Sequence, residues 1–159
     1  MPIDDRWGEF EPSQWDGLAQ AWIAQLRSTR GEEVNLCASA DECDVGSTVT
    51  QMSFTATPDQ QWKFILLAMK HAETDEELGH IAAGPMEHLL GWHGDQYIAI
   101  VEQEAQQNPK FARMLTGVCK YLMNDAVWQR IESLQGKARS QEEQGDKPPL
   151  EDAGPGDRK

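Results

Sequence analysis

Apolar residues recur at helical spacing in several separate stretches of the chain. In the first stretch, Trp22 and Leu26 follow Trp15 by seven and eleven residues, so the three share one helix face. Ser13 is suited to cap the N-terminus of such a helix. The pattern predicts a helix over residues 14–30.

The same spacing predicts helices along the rest of the chain. Pro58 opens a helix whose apolar residues cover most of its circumference, which predicts the most buried helix of the fold. Thr74 and Glu77 form a capping box at the start of the next one. Later helices are predicted to start near Asp95, Pro109 and Asn124 or Asp125. Because short connections favour antiparallel neighbours, the sequence predicts an all-α, single compact domain over residues 1–135. Its six or seven helices would form a bundle or a short stack of antiparallel helical hairpins.

The helix that follows Thr74 contains Gly84 and Pro85. Its apolar stripe keeps one phase across this pair, yet Pro85 has no backbone N–H to donate to the preceding turn. We expect a sharp kink, or two short helices that meet at Gly84. A structural kink is the favoured interpretation. The alternative is a small site in which Glu87 lies beside exposed backbone N–H groups.

Two segments lack helical periodicity. Residues 31–57 are acidic, small or β-branched, and we expect a long acidic loop there. Residues 136–159 are rich in Gln, Glu, Asp, Gly and Pro, with Leu150 as their large apolar residue, and we expect a disordered tail.

Composition adds a strong and uneven charge. The chain of 159 residues has a net charge of −13. Residues 31–109 contain 14 acidic and two basic residues, whereas the other 80 residues contain 13 acidic and 12 basic ones. A segment this acidic repels phosphate groups. This argues against direct binding to nucleic acids and against binding to anionic membrane surfaces. The partner class that this charge favours is a basic protein.

Targeting signals and cysteine usage point to the cytoplasm. The N-terminus has neither a basic region nor an apolar run behind it, and no apolar stretch approaches the length needed to span a bilayer. The three cysteines lack CxxC spacing, so we expect reduced thiols. The stripe of the helix that starts at Pro109 continues to Leu122, and it predicts that Cys119 lies in the core.

Several blocks of the chain resemble a bacterial family known as a domain of unknown function. The blocks are Trp62-Lys63-Phe64-Ile65, the acidic helix start at Thr74 and the run from Ile81 to Leu90, which reads IAAGPMEHLL. They continue with His93-Gly94, Asn108-Pro109-Lys110-Phe111 and Trp128. The resemblance covers roughly residues 62–134, and Met86 stands where the family pattern has Leu. It implies a helical, cytoplasmic bacterial protein and carries no catalytic residues to transfer.

Catalytic and metal-binding motifs are weak in this sequence. The four histidines and nearby carboxylates have neither HExxH spacing nor a CxxC partner, so we expect no metal, no cofactor and no catalytic residue. A small enzyme with a site around Glu87, His88 and His93 stays open as an alternative.

Tryptophans divide into two groups. Four lie on helical stripes and are predicted to be in the core: Trp15, Trp22, Trp62 and Trp128. Trp7 lies outside such a stripe. Trp92 is flanked by Glu87 and Asp95, and it is either partly buried at the core edge or an interface anchor.

The leading hypothesis is a non-catalytic protein-binding module, most concretely an immunity or inhibitor protein that neutralises a basic toxin or nuclease. The alternative within the binding class is a DNA mimic or regulatory inhibitor of nucleic-acid machinery. The predicted partner-binding residues are Asp75, Glu76, Glu77, Glu87, Trp92, Asp95 and Glu102. The acidic residues of the predicted loop are further candidates: Glu32, Glu33, Asp41, Glu42 and Asp44. These residues should form one negative face, centred on the Thr74 helix start and the His93-Gly94 turn.

Overall fold

A computed structural model describes residues 5–28 and 44–145 of the chain. Within these residues the fold has seven α-helices and no strand, which confirms the all-α prediction of a single compact domain. The helices are α1 (Pro12–Ser28), α2 (Val45–Thr55), α3 (Pro58–His71), α4 (Asp75–Ile81), α5 (Glu87–Gln107), α6 (Pro109–Leu115) and α7 (Asp125–Gly145). A 3₁₀ turn (Asp5–Glu9) precedes α1, and a π-helical turn (Ala82–Met86) joins α4 to α5. None of the helices in the described part of the chain is both long and apolar enough to cross a membrane.

Side-chain caps fix the starts of most helices. Thr74 and Glu77 close the expected capping box on α4, and Thr57 with Gln60 closes a second one on α3. The amide oxygen of Asn124 accepts the backbone N–H of Val127 at 2.9 Å, which caps α7. These helix boundaries are therefore properties of the local sequence.

The core is a continuous apolar cluster between the helices. α1 packs on α2 and α3, while α6 packs on α5 and α7. Trp15 and Trp22 are buried as predicted, whereas Trp62 and Trp128 are only partly buried against the cluster. Trp7, which no helical stripe includes, is among the most buried side chains because its indole Nε1–H donates to the Thr55 hydroxyl at 2.7 Å.

The Gly84-Pro85 pair is accommodated by the π-helical turn. Widening the helix by one residue lets the run continue through Pro85, so α4 and α5 form one helical path instead of two helices that meet at Gly84. Further on, His93 has non-helical φ and ψ of −133° and 20°, and this kink separates two helical segments of α5 close to Asp95, where the sequence predicts that a new helix begins. Gly94 allows α5 to approach α7 closely, because a Cβ there would lie 3.0 Å from Cγ1 of Val127.

The prediction of a loop over residues 31–57 is wrong for its second half. α2 occupies Val45–Thr55, with Asp44 as its N-cap. Val49 and Met52 are buried, so packing against the core outweighs the weak helix propensity of its β-branched residues. The first part of the predicted loop, including Glu32, Glu33, Asp41 and Glu42, lies outside the described residues.

The disordered tail does not begin at residue 136. α7 continues to Gly145, because Ala138 is buried and the Gln135 amide donates to the Leu115 and Val118 carbonyls at 2.8 Å each. The rest of the predicted tail lies outside the described residues.

Two further boundaries differ from the prediction. α1 begins at Pro12, two residues before the expected start, with the Glu11 carbonyl accepting from Gln14 and Trp15. α6 ends at Leu115 because the N–H groups of Thr116, Gly117 and Val118 form tight turn hydrogen bonds to carbonyls three residues back. The following connection carries Cys119 and Leu122 to the surface, so the expectation that Cys119 is in the core is wrong.

Candidate functional site

Glu77, a predicted partner-binding residue, lies inside the fold. Only 3% of the residue is exposed, and its carboxylate accepts from the Arg27 Nε–H at 2.6 Å and from the Glu73 N–H at 2.6 Å. The Arg27 guanidinium and these hydrogen bonds lower the pKa of Glu77 to about 2. Arg27 also donates to the His71 carbonyl at 2.9 Å, so the pair ties α1 to the junction of α3 and α4. Glu77 is therefore not available to a partner.

Four other predicted carboxylates have partners within the chain. Asp75 pairs with Arg113 at 2.6 Å. Glu102 accepts from the Nε–H of Arg130 at 2.6 Å, and this guanidinium lowers the pKa of Glu102. Glu87 accepts the Cys119 N–H at 2.8 Å, and Asp95 accepts from the Asn124 amide at 2.9 Å. These contacts hold helices and connections together, although Asp75 and Asp95 keep exposed surface.

The charge division in the sequence is not a division in space. Arg27, Arg113 and Arg130 all lie outside residues 31–109, and each is paired with a carboxylate of that acidic segment. Folding therefore brings these three arginines, which lie outside residues 31–109, into contact with carboxylates of that segment. Trp92 follows Asp75 by 17 residues, and a helical path of that length is about 25 Å. The two centres of the predicted negative face thus lie at different positions along this helical path, and at the first of them Asp75 and Glu77 are paired with Arg113 and Arg27.

A different cluster forms an exposed surface around the first half of α5. Most of the large apolar side chains that are exposed in the described chain lie here: Phe54, Trp92, Tyr121 and Leu122. The ring of His88 lies between two of them, 4.4 Å from Phe54 and 5.7 Å from Tyr121, centroid to centroid. We call these five residues the aromatic patch. Trp92 is the most exposed member, at 63%.

Three separate elements meet in the aromatic patch. Phe54 comes from α2, His88 and Trp92 lie on one side of α5, and Tyr121 and Leu122 come from the connection between α6 and α7. This connection approaches α5 closely at Gly91, where a Cβ would lie 3.1 Å from the Leu122 Cβ. Trp92 and Leu122 also line one shallow depression together with Asp95. The patch is therefore continuous across α5.

A groove of about 330 Å³ opens at one side of the patch. The end of α2, the start of α3 and α5 form its walls, and the lining residues include Phe54, Ala56, Pro58, Trp92 and His93. Its volume is at the lower end of the range for ligand pockets, and its lining is mostly apolar.

His88 is the polar member of the patch. Its Nδ1 is buried and is the one buried side-chain nitrogen or oxygen without a hydrogen-bond partner in the described ranges, 5–28 and 44–145. Burial lowers the pKa of His88, against the opposing effect of the Glu87 carboxylate. The burial of His88 thus favours the neutral imidazole, which contributes an aromatic ring to the patch.

The three residues of the small-enzyme alternative make separate contacts. The Glu87 carboxylate is engaged with the Cys119 N–H, His88 lies between aromatic rings, and His93 lines the groove. Among residues 5–28 and 44–145 there is also no group of three His, Cys, Asp or Glu side chains arranged to hold a metal ion.

Comparison with known proteins gives one match. The model of a family of unknown function, DUF6869, matches residues 38–139. The chain belongs to this family. The DUF6869 match begins before the resemblance noted in the sequence and includes all of α2, so the aromatic patch lies wholly within it. Neither a curated protein nor a solved structure shows significant similarity to the chain.

Sequence reasoning found one member of the patch as a binding residue, Trp92. It missed Phe54 because that residue lies in a segment expected to be a loop. It assigned Leu122 to a buried helical stripe, and it considered His88 only for metal or catalysis. The sequence did contain a signal for Tyr121 and Leu122. The Thr116-Gly117 pair ends α6, so the two residues that follow a few positions later lie in a connection and not on a helix.

Proposed function

We propose that this protein is a non-catalytic binding module that contacts a protein partner through the aromatic patch. The observation that carries the proposal is the clustering of exposed apolar side chains from three elements around α5. Contiguous apolar surface on a folded domain is typical of interaction sites, and tryptophan and tyrosine are enriched among residues that dominate binding energy.

The charge of the chain favours a basic partner. A net charge of −13 attracts a cationic protein over long range and raises its association rate. An immunity or inhibitor protein that neutralises a basic toxin or nuclease fits both properties, and it is the concrete form of the proposal. In this form the aromatic patch supplies affinity and the general charge supplies the rate.

The structure gives less support to the DNA-mimic alternative. A DNA mimic presents carboxylates spaced like phosphates, whereas Asp75, Glu77 and Glu102 are paired with arginines of the same chain. The small-enzyme alternative has Glu87, His88 and His93 as its candidates, and the first two already have structural roles. We therefore favour protein binding over both.

The test is affinity capture from cells of the source organism, with quantitative mass spectrometry and three baits. The baits are the native chain, Trp92→Ala and the matched control Ile100→Ala, which truncates an exposed apolar residue of α5 outside the patch. A basic protein should be retained by the native and control baits and lost from Trp92→Ala. With the purified partner, Trp92→Ala should weaken binding by about 30-fold, the effect of a 2 kcal/mol hot spot.

Raising the salt concentration should slow association and leave dissociation from the patch nearly unchanged. Identical protein sets on all three baits, at low and high salt, would overturn the proposal.

A further inference from the structure

The groove beside Trp92 has a lining that favours one kind of occupant. Three of its polar side chains are engaged within the fold, and His93 is a further polar residue of the lining. The Ser53 hydroxyl donates to the Val49 carbonyl at 3.0 Å, and the Gln61 amide donates to the Ala56 carbonyl at 2.9 Å. Thr55 accepts from Trp7 and donates to the Gln51 carbonyl at 2.8 Å. A strongly polar ligand such as a phosphate or a sugar would leave most of its own hydrogen-bonding groups unpaired in this lining.

The exposed walls of the groove are apolar. Phe54 and Trp92 form its outer sides, with 40% and 63% of each residue exposed, and Ala56 and Pro58 contribute to the floor. Transfer of an apolar side chain into this space removes apolar surface from water on both partners, which is the main source of binding free energy at such sites.

Two carboxylates belong to residues that adjoin the groove lining. Asp59 follows Pro58 and accepts a hydrogen bond from the Tyr97 hydroxyl, while Asp95 lines the adjoining depression together with Trp92 and accepts from the Asn124 amide at 2.9 Å. The residues that flank an apolar side chain in the groove therefore meet negative charge. A second copy of this chain is a poor occupant, because two molecules of charge −13 repel each other.

We infer that the groove receives one large apolar side chain from a lysine- or arginine-rich segment of the partner. The inference rests on the proposed function and specifies its partner. The apolar side chain lies between Phe54 and Trp92, and the basic residues on either side of it face Asp59 and Asp95. Affinity then depends on the apolar anchor, and selectivity depends on the flanking charges.

The experiment selects peptides from a random 12-residue display library against the full chain, after removal of clones that bind the Phe54→Ala/Trp92→Ala double variant. Enriched peptides should contain Trp, Phe or Leu flanked by Lys or Arg. In a synthetic copy, alanine in place of the anchor should weaken binding about tenfold or more. Asp95→Asn should weaken binding a few-fold, with Glu143→Gln, at the far end of α7, as the matched control.

The position of the peptide is read from the protein. The indole N–H resonance of Trp92, assigned by its loss in Trp92→Phe, should shift on titration with the synthetic peptide, while the same peptide with an alanine anchor should leave it unmoved. Enrichment of neutral or acidic peptides, enrichment of no peptide over the double variant, or self-association of the chain through this face would overturn the inference.

The two proposals fail in different ways. If the captured partner loses affinity for Trp92→Ala but keeps it when its own apolar anchors are changed to alanine, the groove inference is wrong and the binding module stands. If capture itself does not depend on Trp92, the proposed function fails.

Discussion

The start of α4 and the first half of α5 differ in what the sequence shows and in what folding does with it. At the start of α4 the sequence concentrates Glu73, Asp75, Glu76 and Glu77, and folding brings Arg27 and Arg113 onto this group. Around α5 the sequence shows only Trp92 between two carboxylates, and folding brings three further apolar side chains beside it. Most carboxylates of the dense acidic cluster are thus paired within the fold. The apolar residues that are dispersed in the sequence form the aromatic patch instead.

The physical reason lies in the different costs of exposure. Carboxylates are well solvated, so an acidic helix start is stable with or without a partner protein, and it also favours the helix dipole. Exposed apolar side chains are unfavourably hydrated, so their burial against a partner lowers the free energy. A cluster of them in an otherwise well-packed domain is therefore the stronger indication of a binding surface. Four substitutions sharpen this comparison.

Among these four, Glu77→Gln should have the largest effect on stability. It replaces the buried carboxylate, which accepts charge-assisted hydrogen bonds from Arg27 and from the Glu73 N–H, with an amide. Because 44% of the Arg27 side chain is exposed and stays hydrated, we expect the free energy of unfolding to fall by about 2 kcal/mol. Urea unfolding at pH 7 measures this value, with Glu143→Gln as the control that should match the native chain. Binding to the captured partner should not change. If Glu77→Gln instead lost affinity for the partner while its free energy of unfolding stayed unchanged, Glu77 would be a binding residue.

The pH dependence follows from the same residue. The pKa of Glu77 is lowered in the folded state from 4.5 to about 2, so its stabilisation is fully present above pH 4.5 and is lost as the pH falls toward 2. The native chain should lose stability over this range more steeply than Glu77→Gln does. Equal slopes in urea unfolding at pH 5, 4 and 3 would contradict the role of the Arg27 pair.

His88→Phe should stabilise the fold by about 1 kcal/mol, because it removes a buried nitrogen without a hydrogen-bond partner and keeps the ring between Phe54 and Tyr121. The lowered pKa of His88 means that its neutral form stabilises the fold fully above pH 6.5 and less as the pH falls below that value. The variant should therefore lose less stability than the native chain between pH 7 and pH 5. Thermal unfolding at both pH values checks this, and a destabilised variant would show that the imidazole makes a contact of its own.

Arg130→Ala should cost less than about 1 kcal/mol. Its ion pair with Glu102 is bidentate, but 44% of the Arg130 side chain is exposed and water screens the pair. The cost should shrink further at high salt. Comparison of urea unfolding at low and high salt tests this, and a salt-independent loss would indicate that the aliphatic part of Arg130 packs on α5.

Trp92→Ala should have the smallest effect on stability, within about 0.5 kcal/mol, as expected for an exposed side chain. Trp15→Ala, which truncates a buried tryptophan, is the contrasting variant and should cost about 3 to 5 kcal/mol. Thermal unfolding of both completes the comparison. A large loss in Trp92→Ala would show that the aromatic patch is part of the core and not a free surface.

Much of the fold followed from local chemistry. The helices after Pro58, the capping box at Thr74 and the caps at Asn108 and Asn124 all depend on residues within a few positions of one another. α2 was missed because its β-branched and small residues resemble a loop when its packing against α1 is unknown. The end of α6 was missed because its apolar stripe continues past the turn that Thr116 and Gly117 form.

The sequence by itself determined the helical fold class, the capped helix starts from Pro58 onward and the net charge, because propensity, capping and ionisation act over short range. Only the tertiary structure decided which charges are neutralised and which apolar residues stay in water. Both depend on contacts between residues far apart in the chain, such as Arg27 with Glu77 and Phe54 with His88. Several of the predicted partner-binding carboxylates were paired in this way, and the aromatic patch was formed.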